Sequence, residues 1–434
     1  MTGKRAAWMR RSRRTPGNLM TQWAPVWRVK IDGTDITDSV LANLSITSGR
    51  TNIYEQAQAG YCSVNLIVFG QTALPYEIND TISIEVQNTS AVYVPIFGGS
   101  VVDIAVSVSQ VGSSAYTQEV TITALGALAR LQKALTDGVL TQDFDGDQIE
   151  TILREVLLAQ WQQVPAALQW NTYDPTTQWQ DAENNGLGEI DTPGNYELAQ
   201  RASNRTIIYD LVSALATSGL GYLYESASGL ISYADSTHRT TYLAANGYTD
   251  LTANQALGRG ITIKTRAGDV RNDITLSYGI DSGSEVSDTD PTSIALYGDL
   301  AQIITTTIKH EADAEDQAAF YLALRAYPQP IFDSITYALT NPELDNADRD
   351  ALINVFMGQP IALNDLPPNM SGGVFQGFVE GWTFRASYNQ LDVTLLMSPL
   401  AYSLQAMRWN DVPITEAWNT VSPTLEWQYA TIVS

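Results

Sequence analysis

Between Trp27 and Gly126 apolar and polar residues alternate in short runs, and each run ends at Gly, Asn or Asp. The runs are WRVKIDGTDIT, LSITSG, YCSVNLIVFG, DTISIEVQ, YVPIFGGSVVDIAVSVS and YTQEVTITALG. A period of two places successive side chains on opposite faces of a sheet, so each run reads as a strand with one buried face. Asp32-Gly33 supplies the chemistry of a tight turn. Strands recurring at short intervals with turn residues between them predict a barrel or a sandwich. ALGALARLQK, from Ala124, predicts a short helix that closes this unit.

The pattern then changes. Asp147 is placed to cap a helix through IETILREVLLAQW, with Ile149, Ile152, Leu153, Val156 and Leu157 on one face. Residues 171–195 are polar, contain Asn184-Asn185-Gly186 and Pro193-Gly194, and predict a loop. RTIIYDLVSALATSG predicts a second helix that stops at Gly219. GYLYESASGLISYAD predicts a hairpin. From residue 256 strands return with GITIKTRAGDV and RNDITLSYG, and an acidic loop is expected over 281–293. TTTIKH leads into a helix, EADAEDQAAFYLALRAY, whose Glu311, Asp313 and Glu315 suit the positive end of its dipole. Pro328 and Pro330 stop that helix. FDSITYALT, ALINVFMGQPIAL, FQGFVEGWTFRAS and LDVTLLMSP read as four more strand-like pieces.

The chain has 434 residues, enough for about three domains at roughly 150 residues each. A hydrophobic fraction of 44% supports a folded core rather than disorder. No apolar run reaches the ~18 residues of a membrane helix, and no secretory signal is expected. Of the 24 basic residues, six (Lys4, Arg5, Arg10, Arg11, Arg13 and Arg14) lie in the first 14 positions. The other 420 residues carry 18 basic and 47 acidic ones, a balance of −29. This describes an acidic body with a cationic arm. The body should repel nucleic acid, because phosphate binding needs clustered cations. The arm is a candidate for docking on an acidic partner or on nucleic acid, with a solvated, partly disordered terminus as the alternative.

Catalytic motifs are not found. His238 and His310 follow no ligand spacing, and no H-E-x-x-H, P-loop, G-x-S-x-G or G-x-G-x-x-G occurs. Asp143–Glu150, DFDGDQIE, faintly resembles a calcium loop but lacks the glycine position and the distal glutamate; helix capping explains its aspartates better. Trp161, Trp170 and Trp179 suit either a sugar platform or packing. Cys62, the one cysteine, sits at a strand position and is expected to be a small buried hydrophobe. No cofactor, metal site or catalytic residue is predicted, and the protein is not expected to be an enzyme.

Three stretches together resemble the central hub, or minor tail protein, of long-tailed bacteriophage tail tips and baseplates. They are ITSGRTNIYEQAQAGYCSVNLIV, then RNDITLSYG with the helix EADAEDQAAFYLALRAYPQPIFDSITYAL, then ALINVFMGQPIAL with GFVEGWTFRASYNQLDVTLLMSP. They span most of residues 25–400, and their order carries the likeness. The resemblance implies two tail-tube-like β-barrels that flank or enclose a small α/β domain. It implies a homotrimer whose six barrels make a pseudo-sixfold ring through which DNA passes without specific binding. The basic arm and the Trp-rich tail depart from the family pattern.

On this reading residues 1–22 are a flexible basic arm and 23–135 the first barrel. Residues 136–255 are the α/β insert, which 285–326 can join. Residues 256–400, with the helix 311–327, are the second barrel, and 401–434 a docking tail. The implied partners are a distal tail ring protein, a central fibre or spike and the tape-measure protein; the implied location is the virion tail tip. Arg50 and Glu55, in the loop Gly49–Gly60, become candidate inter-subunit contacts. A hexameric distal tail or peripheral receptor-binding protein is the nearest alternative. A cell-wall glycan or peptidoglycan hydrolase is the alternative of another class, disfavoured because only about 35 residues follow the second β unit.

Overall fold

The computed structural model describes residues 23–399 apart from 37–39, 70–72, 109–116, 159–185, 257–262, 266, 329, 333, 369, 371–372 and 388. The basic arm, the C-terminal tail and Trp161, Trp170 and Trp179 lie outside the described residues. Among the described residues the chain is mainly β, with 43% strand against 24% helix.

Strands from the first predicted β unit and from the C-terminal part of the second form one sheet, joined by Thr249–Thr252 from the predicted insert, whereas Ile263–Thr265 and Asp273–Tyr278, expected in the second unit, pair in other sheets. The order of the large sheet is Thr249–Thr252, Pro360–Asn364, Phe375–Ser387, Val40–Gly49, Tyr61–Phe69, Thr117–Gly126, Tyr93–Val108, Thr81–Gln87, Trp27–Ile31 and Thr34–Asp35. Gln390–Pro399 pairs with the other edge of Phe375–Ser387, and Ile335–Ala338 pairs with Gln390–Pro399. The alternation read from sequence sets the buried face: Cys62, Val64 and Leu66 point inward on one strand, Val120, Ile122 and Ala124 on another, and Leu391, Val393 and Leu395 on a third. A one-residue slip would expose each set, which fixes the register.

Two separate closed barrels were the expectation. The described strands instead form an open path, and the halves are joined by antiparallel pairing from Gly49↔Gly381 to Leu44↔Ala386. Both strands need that neighbour, because an unpaired edge would leave its backbone groups unsatisfied. Side chains tie the two halves a second time. The turn after Thr81–Gln87 gives its Thr89 backbone N–H and hydroxyl to the Asp350 carboxylate at 2.9 and 2.5 Å. The Arg349 guanidinium lies 5.4 Å from the Trp23 ring centroid.

Between the halves sits the predicted α/β unit. Its parallel-antiparallel sheet joins Leu187–Ile190, Ile231–Ala234 and Tyr222–Glu225, under helices Asp145–Leu158 and Ile208–Ser218. A second small sheet joins Ser284–Thr289, Asp273–Tyr278 and Ala301–Thr305, with helix Glu311–Arg325 packed on it. Ser284–Thr289 and the helix Pro291–Tyr297 replace the loop expected over 281–293. The strand has one apolar residue, Val286, so its alternation is faint in the sequence. The helix start is written in Asp290, whose carboxylate accepts the backbone N–H of Thr292 and Ser293. Residues 351–353 of ALINVFMGQPIAL are likewise helical, in Asn346–Ile353 capped by Asp345; only Pro360–Asn364 is strand. Buried apolar side chains from Val29 to Met397 form one continuous cluster through all these parts.

The Thr89–Asp350 tie is half-buried, and hydrogen bonds to a charged group contribute about 1.5–3 kcal/mol each. Asp350→Ala should therefore lower unfolding stability by about 2 kcal/mol in a urea titration, with Thr89→Ala non-additive to it. Additive losses would mean the two residues do not act together.

Candidate functional site: a buried charge cluster where the parts of the chain meet

Phe375–Ser387 uses one edge for two partners in succession. Residues 375–378 pair with Pro360–Asn364, and residues 381–386 pair with Val40–Gly49. The handover falls at Glu380. On the opposite edge Val379 pairs with Met397 and Gly381 with Leu396, so Glu380 is the extra residue of a β-bulge. Bulges re-aim a side chain that regular pleating would send elsewhere, and here the Glu380 side chain is buried. Gly49 ends the adjoining strand at φ 86°, where a Cβ would overlap the Glu380 carbonyl oxygen. The same close approach lets the Arg50 backbone N–H donate to that oxygen at 2.8 Å.

The Glu380 carboxylate accepts from four donors. Arg50 Nε reaches Oε2 at 2.7 Å; Arg239 Nη1 and Nη2 reach Oε1 and Oε2 at 2.7 and 3.0 Å; the Ser398 hydroxyl reaches Oε1 at 2.5 Å. Arg50, Arg239 and Glu380 are 6%, 4% and 2% exposed, so water screens none of them. Both guanidinia also approach the Tyr222 ring, at 5.4 and 4.5 Å from its centroid. Burial opposes ionisation of Glu380, yet the flanking Arg239 and Arg50 charges win and hold its pKa near 2. Burial also disfavours the Arg239 cation, but the Glu380 charge and the Tyr222 contacts together outweigh it and raise that pKa. Burial is the larger influence on Arg50, which shares the carboxylate with Arg239; an arginine still keeps its proton in a protein.

The cluster therefore joins three regions: Arg50 from the first half of the sheet, Glu380 and Ser398 from the second, and Tyr222 and Arg239 from the α/β unit. Sequence reading singled out Arg50 as a partner for a neighbouring subunit. The structure gives its guanidinium a carboxylate inside its own chain, plus the Glu55 carbonyl at 3.1 Å. Glu55 itself has an exposed side chain and is not brought to Arg50's charge. Glu380, Arg239 and Tyr222 were missed. The available signal was a glycine beside a charge inside otherwise alternating strands: Gly49-Arg50 in one, Glu380-Gly381 in the other.

The loop Gly49–Gly60 also docks on the α/β unit through its own amides. Gln56 donates to Gly221 O at 3.2 Å and accepts from Leu223 N at 3.0 Å; Gln58 donates to the Tyr209 hydroxyl, which donates to Ala57 O. At its end Glu225 accepts Gly60 N at 2.5 Å and Leu128 N at 3.1 Å. Gly60 and Gly126 leave the space the carboxylate fills, since a Cβ at either would collide with it. Glu225 is satisfied by neutral N–H groups, and burial pushes its pKa up to about 7. Asp145 is similar. Its carboxylate takes the backbone N–H of Asn195 and Tyr196 at 2.8 Å and the Tyr233 hydroxyl at 2.5 Å, and burial raises its pKa to about 6. DFDGDQIE thus starts a helix at Asp145, with Asp145 rather than Asp147 as its buried anchor. Among the described residues no three His, Cys, Asp or Glu side chains are grouped to hold a metal ion, and no helix is long and apolar enough to cross a membrane. His238 pairs with Asp191 and His310 with Glu197. Cys62 is fully buried.

Removing one member of a buried ion cluster leaves the others unpaired, at about 3–5 kcal/mol. Glu380→Gln should cost that much in chemical denaturation. Arg50→Ala should destabilise the isolated chain by a similar amount, where an inter-subunit role alone would leave the isolated chain unaffected. The pH dependence has a defined sign. Glu225 and Asp145 hold protons in the fold that they release when unfolded, between their ordinary values and about pH 7. Stability from these groups is full below about pH 4 and falls as pH rises to 7, by up to about 3 kcal/mol for Glu225. Glu380 acts oppositely, its contribution being lost only as pH falls from about 4.5 toward 2. Thermal unfolding should thus show greater stability near pH 5 than at pH 7.5, with a flatter profile in Glu225→Gln.

No protein-family model matches this chain, and no curated protein matches it. Among solved structures, the tail protein from Neisseria meningitidis MC58 aligns with a TM-score of 0.57 at 11% identity, covering 88% of this chain and 98% of its own. The 43 kDa tail protein of prophage MuSo2 from Shewanella oneidensis aligns with a TM-score of 0.55 at 10% identity, covering 87% of this chain and 98% of its own. At such identities the shared property is architecture: this chain has the fold of these two tail proteins.

Proposed function

We propose that this chain is a non-enzymatic structural protein of a phage-type tail, and more specifically the hub of the tail tip. The observation that supports it is the extent of the likeness: 98% of each tail protein is covered, so the likeness extends beyond a single sheet. In the proposed assembly three chains form a ring, each giving its two β units as tube-type elements around a DNA channel. The ring connects the distal tail ring to a central fibre or spike. An acidic body suits a channel that must let DNA pass, because carboxylates repel phosphate over the ~8 Å Debye length. Arg50 is committed to Glu380, so contacts between copies fall to exposed groups such as Glu55 and to the basic arm Lys4–Arg14.

Mass measurement on the purified chain, and on particles that contain it, tests this. The expected species is three chains of 47.4 kDa. Six chains would favour a distal tail ring, and a monomer that hydrolyses cell wall would overturn the structural reading. Removing residues 1–17 should weaken assembly at low salt more than at high salt, since screening already suppresses the arm's attraction at high salt.

A further inference from the structure

A cleft of about 880 Å³ opens beside the buried ion cluster. Its walls come from the loop Thr51–Glu55, from Ala301–Thr305 with the end of helix Glu311–Arg325, and from the last residues of strand Gln390–Pro399. The volume falls within the roughly 300–1,000 Å³ of clefts that hold a bound group. Basic and acidic side chains both line it, Lys264, Arg271 and Arg325 together with Glu55, Asp269 and Glu380, so charge does not choose an occupant. Apolar and aromatic surface does. Ile53, Tyr54 and Leu396 are half-buried on the wall, and the Arg325 guanidinium lies 3.9 Å from the Tyr54 ring centroid.

The chain itself carries a segment of matching chemistry. Pro399, the last described residue, is part of the cleft wall, and 35 residues follow it. They contain three of the ten tryptophans, Trp409, Trp418 and Trp427, spaced nine residues apart. The spacing belongs to a repeat: WNDVPITEA and WNTVSPTLE share Trp, Asn, Val and Thr at the same four of nine positions, and the second runs into Trp427. Each unit has a proline, Pro413 or Pro423, which disfavours a helix through the repeat and suits an extended strap. We propose that the cleft docks this chain's own C-terminal segment, with a tryptophan of the repeat as the group that fills it. An indole packs on aliphatic and aromatic surface and on a guanidinium face, and the wall offers all three. Trp409 lies ten residues beyond Pro399, a reach of up to ~33 Å at ~3.3 Å per residue, which leaves ample chain to turn back into the cleft. Attachment at the rim holds the segment at an effective concentration of about millimolar, so a contact of modest affinity suffices. The same attachment favours this occupant over one free in solution. Glu380 and Ser398 also line the cleft, so the docked segment would keep water from that side of the ion cluster. The inference does not rest on the tail-hub reading.

The test uses the full chain with a bimane dye on Glu55→Cys at the cleft wall, because tryptophan quenches bimane on contact. Cys62 is fully buried, so the introduced thiol takes the label. The expected result is a dim dye that brightens when Trp409→Phe, Trp418→Phe and Trp427→Phe are combined, with the circular dichroism spectrum unchanged. The same dye on Glu285→Cys, which is exposed and not part of the cleft wall, should not respond to those replacements. Three results would overturn the proposal. One is no brightening at Glu55→Cys, and another is equal brightening at Glu285→Cys. The third is quenching restored when the labelled triple variant is mixed with unlabelled wild-type chain, since the cleft would then hold the segment of a second copy.

Discussion

The Glu380 carboxylate, buried between two guanidinia, is the interaction on which the relative placement of the chain's parts depends. Burying any one of these charges alone would be prohibitive, and their mutual attraction offsets the loss of water only when donors and acceptors are closely matched. Four donors on two oxygens meet that condition. A cluster of this kind adds little net stability over an apolar one of the same shape, but it tolerates very little displacement. Its value is in specifying geometry: the first half of the sheet, the second half and the α/β unit must all be in place before the charges are satisfied.

Backbone features make the cluster possible. The bulge at Glu380 turns its side chain inward where one strand edge passes from one partner to another. Gly49 lets the neighbouring strand come close enough for Arg50 to donate through both backbone and side chain. From there the loop to Gly60 runs across the α/β unit, using Gln56, Gln58 and the hydroxyl of Tyr209. A loop that looks like a free polar excursion in the sequence is thus an internal joint, and its polar residues satisfy backbone groups that the junction would otherwise bury unpaired.

Glu380 and Glu225 hold junctions between parts of the chain and Asp145 anchors the interior of the α/β unit, and these carboxylates differ in charge balance. Glu380 faces cations and stays ionised down to about pH 2. Glu225 and Asp145 face only N–H and O–H donors, which favour the anion less than burial disfavours it, so their pKa values rise to about 7 and 6. The first junction keeps its charges across the physiological range. Glu225, which ties the α/β unit to Gly60 and Leu128, and Asp145, inside that unit, have pKa values that mild changes in pH cross.

Local pattern determined much of this protein. Alternation in YCSVNLIVF and LDVTLLMSP located strands and their buried faces, and the 3.6-residue spacing of IYDLVSALATS with Gly219 located a helix and its end, because these signals are set by neighbours a few residues away. The sequence also placed Cys62 in the core. Ser284–Thr289 was illegible because an edge strand with a polar face needs only one apolar residue. The open sheet that unites both halves was illegible for a different reason. Pairing of residues 44–49 with 381–386 depends on chain segments more than 330 positions apart, and no local period encodes which edge meets which. The same holds for Arg50. Its charge and its neighbouring glycine were visible in the sequence, but its partner was not. Only the tertiary structure brings Glu380 and Arg239 to it, since an ion pair needs proximity in space and leaves no spacing in the chain.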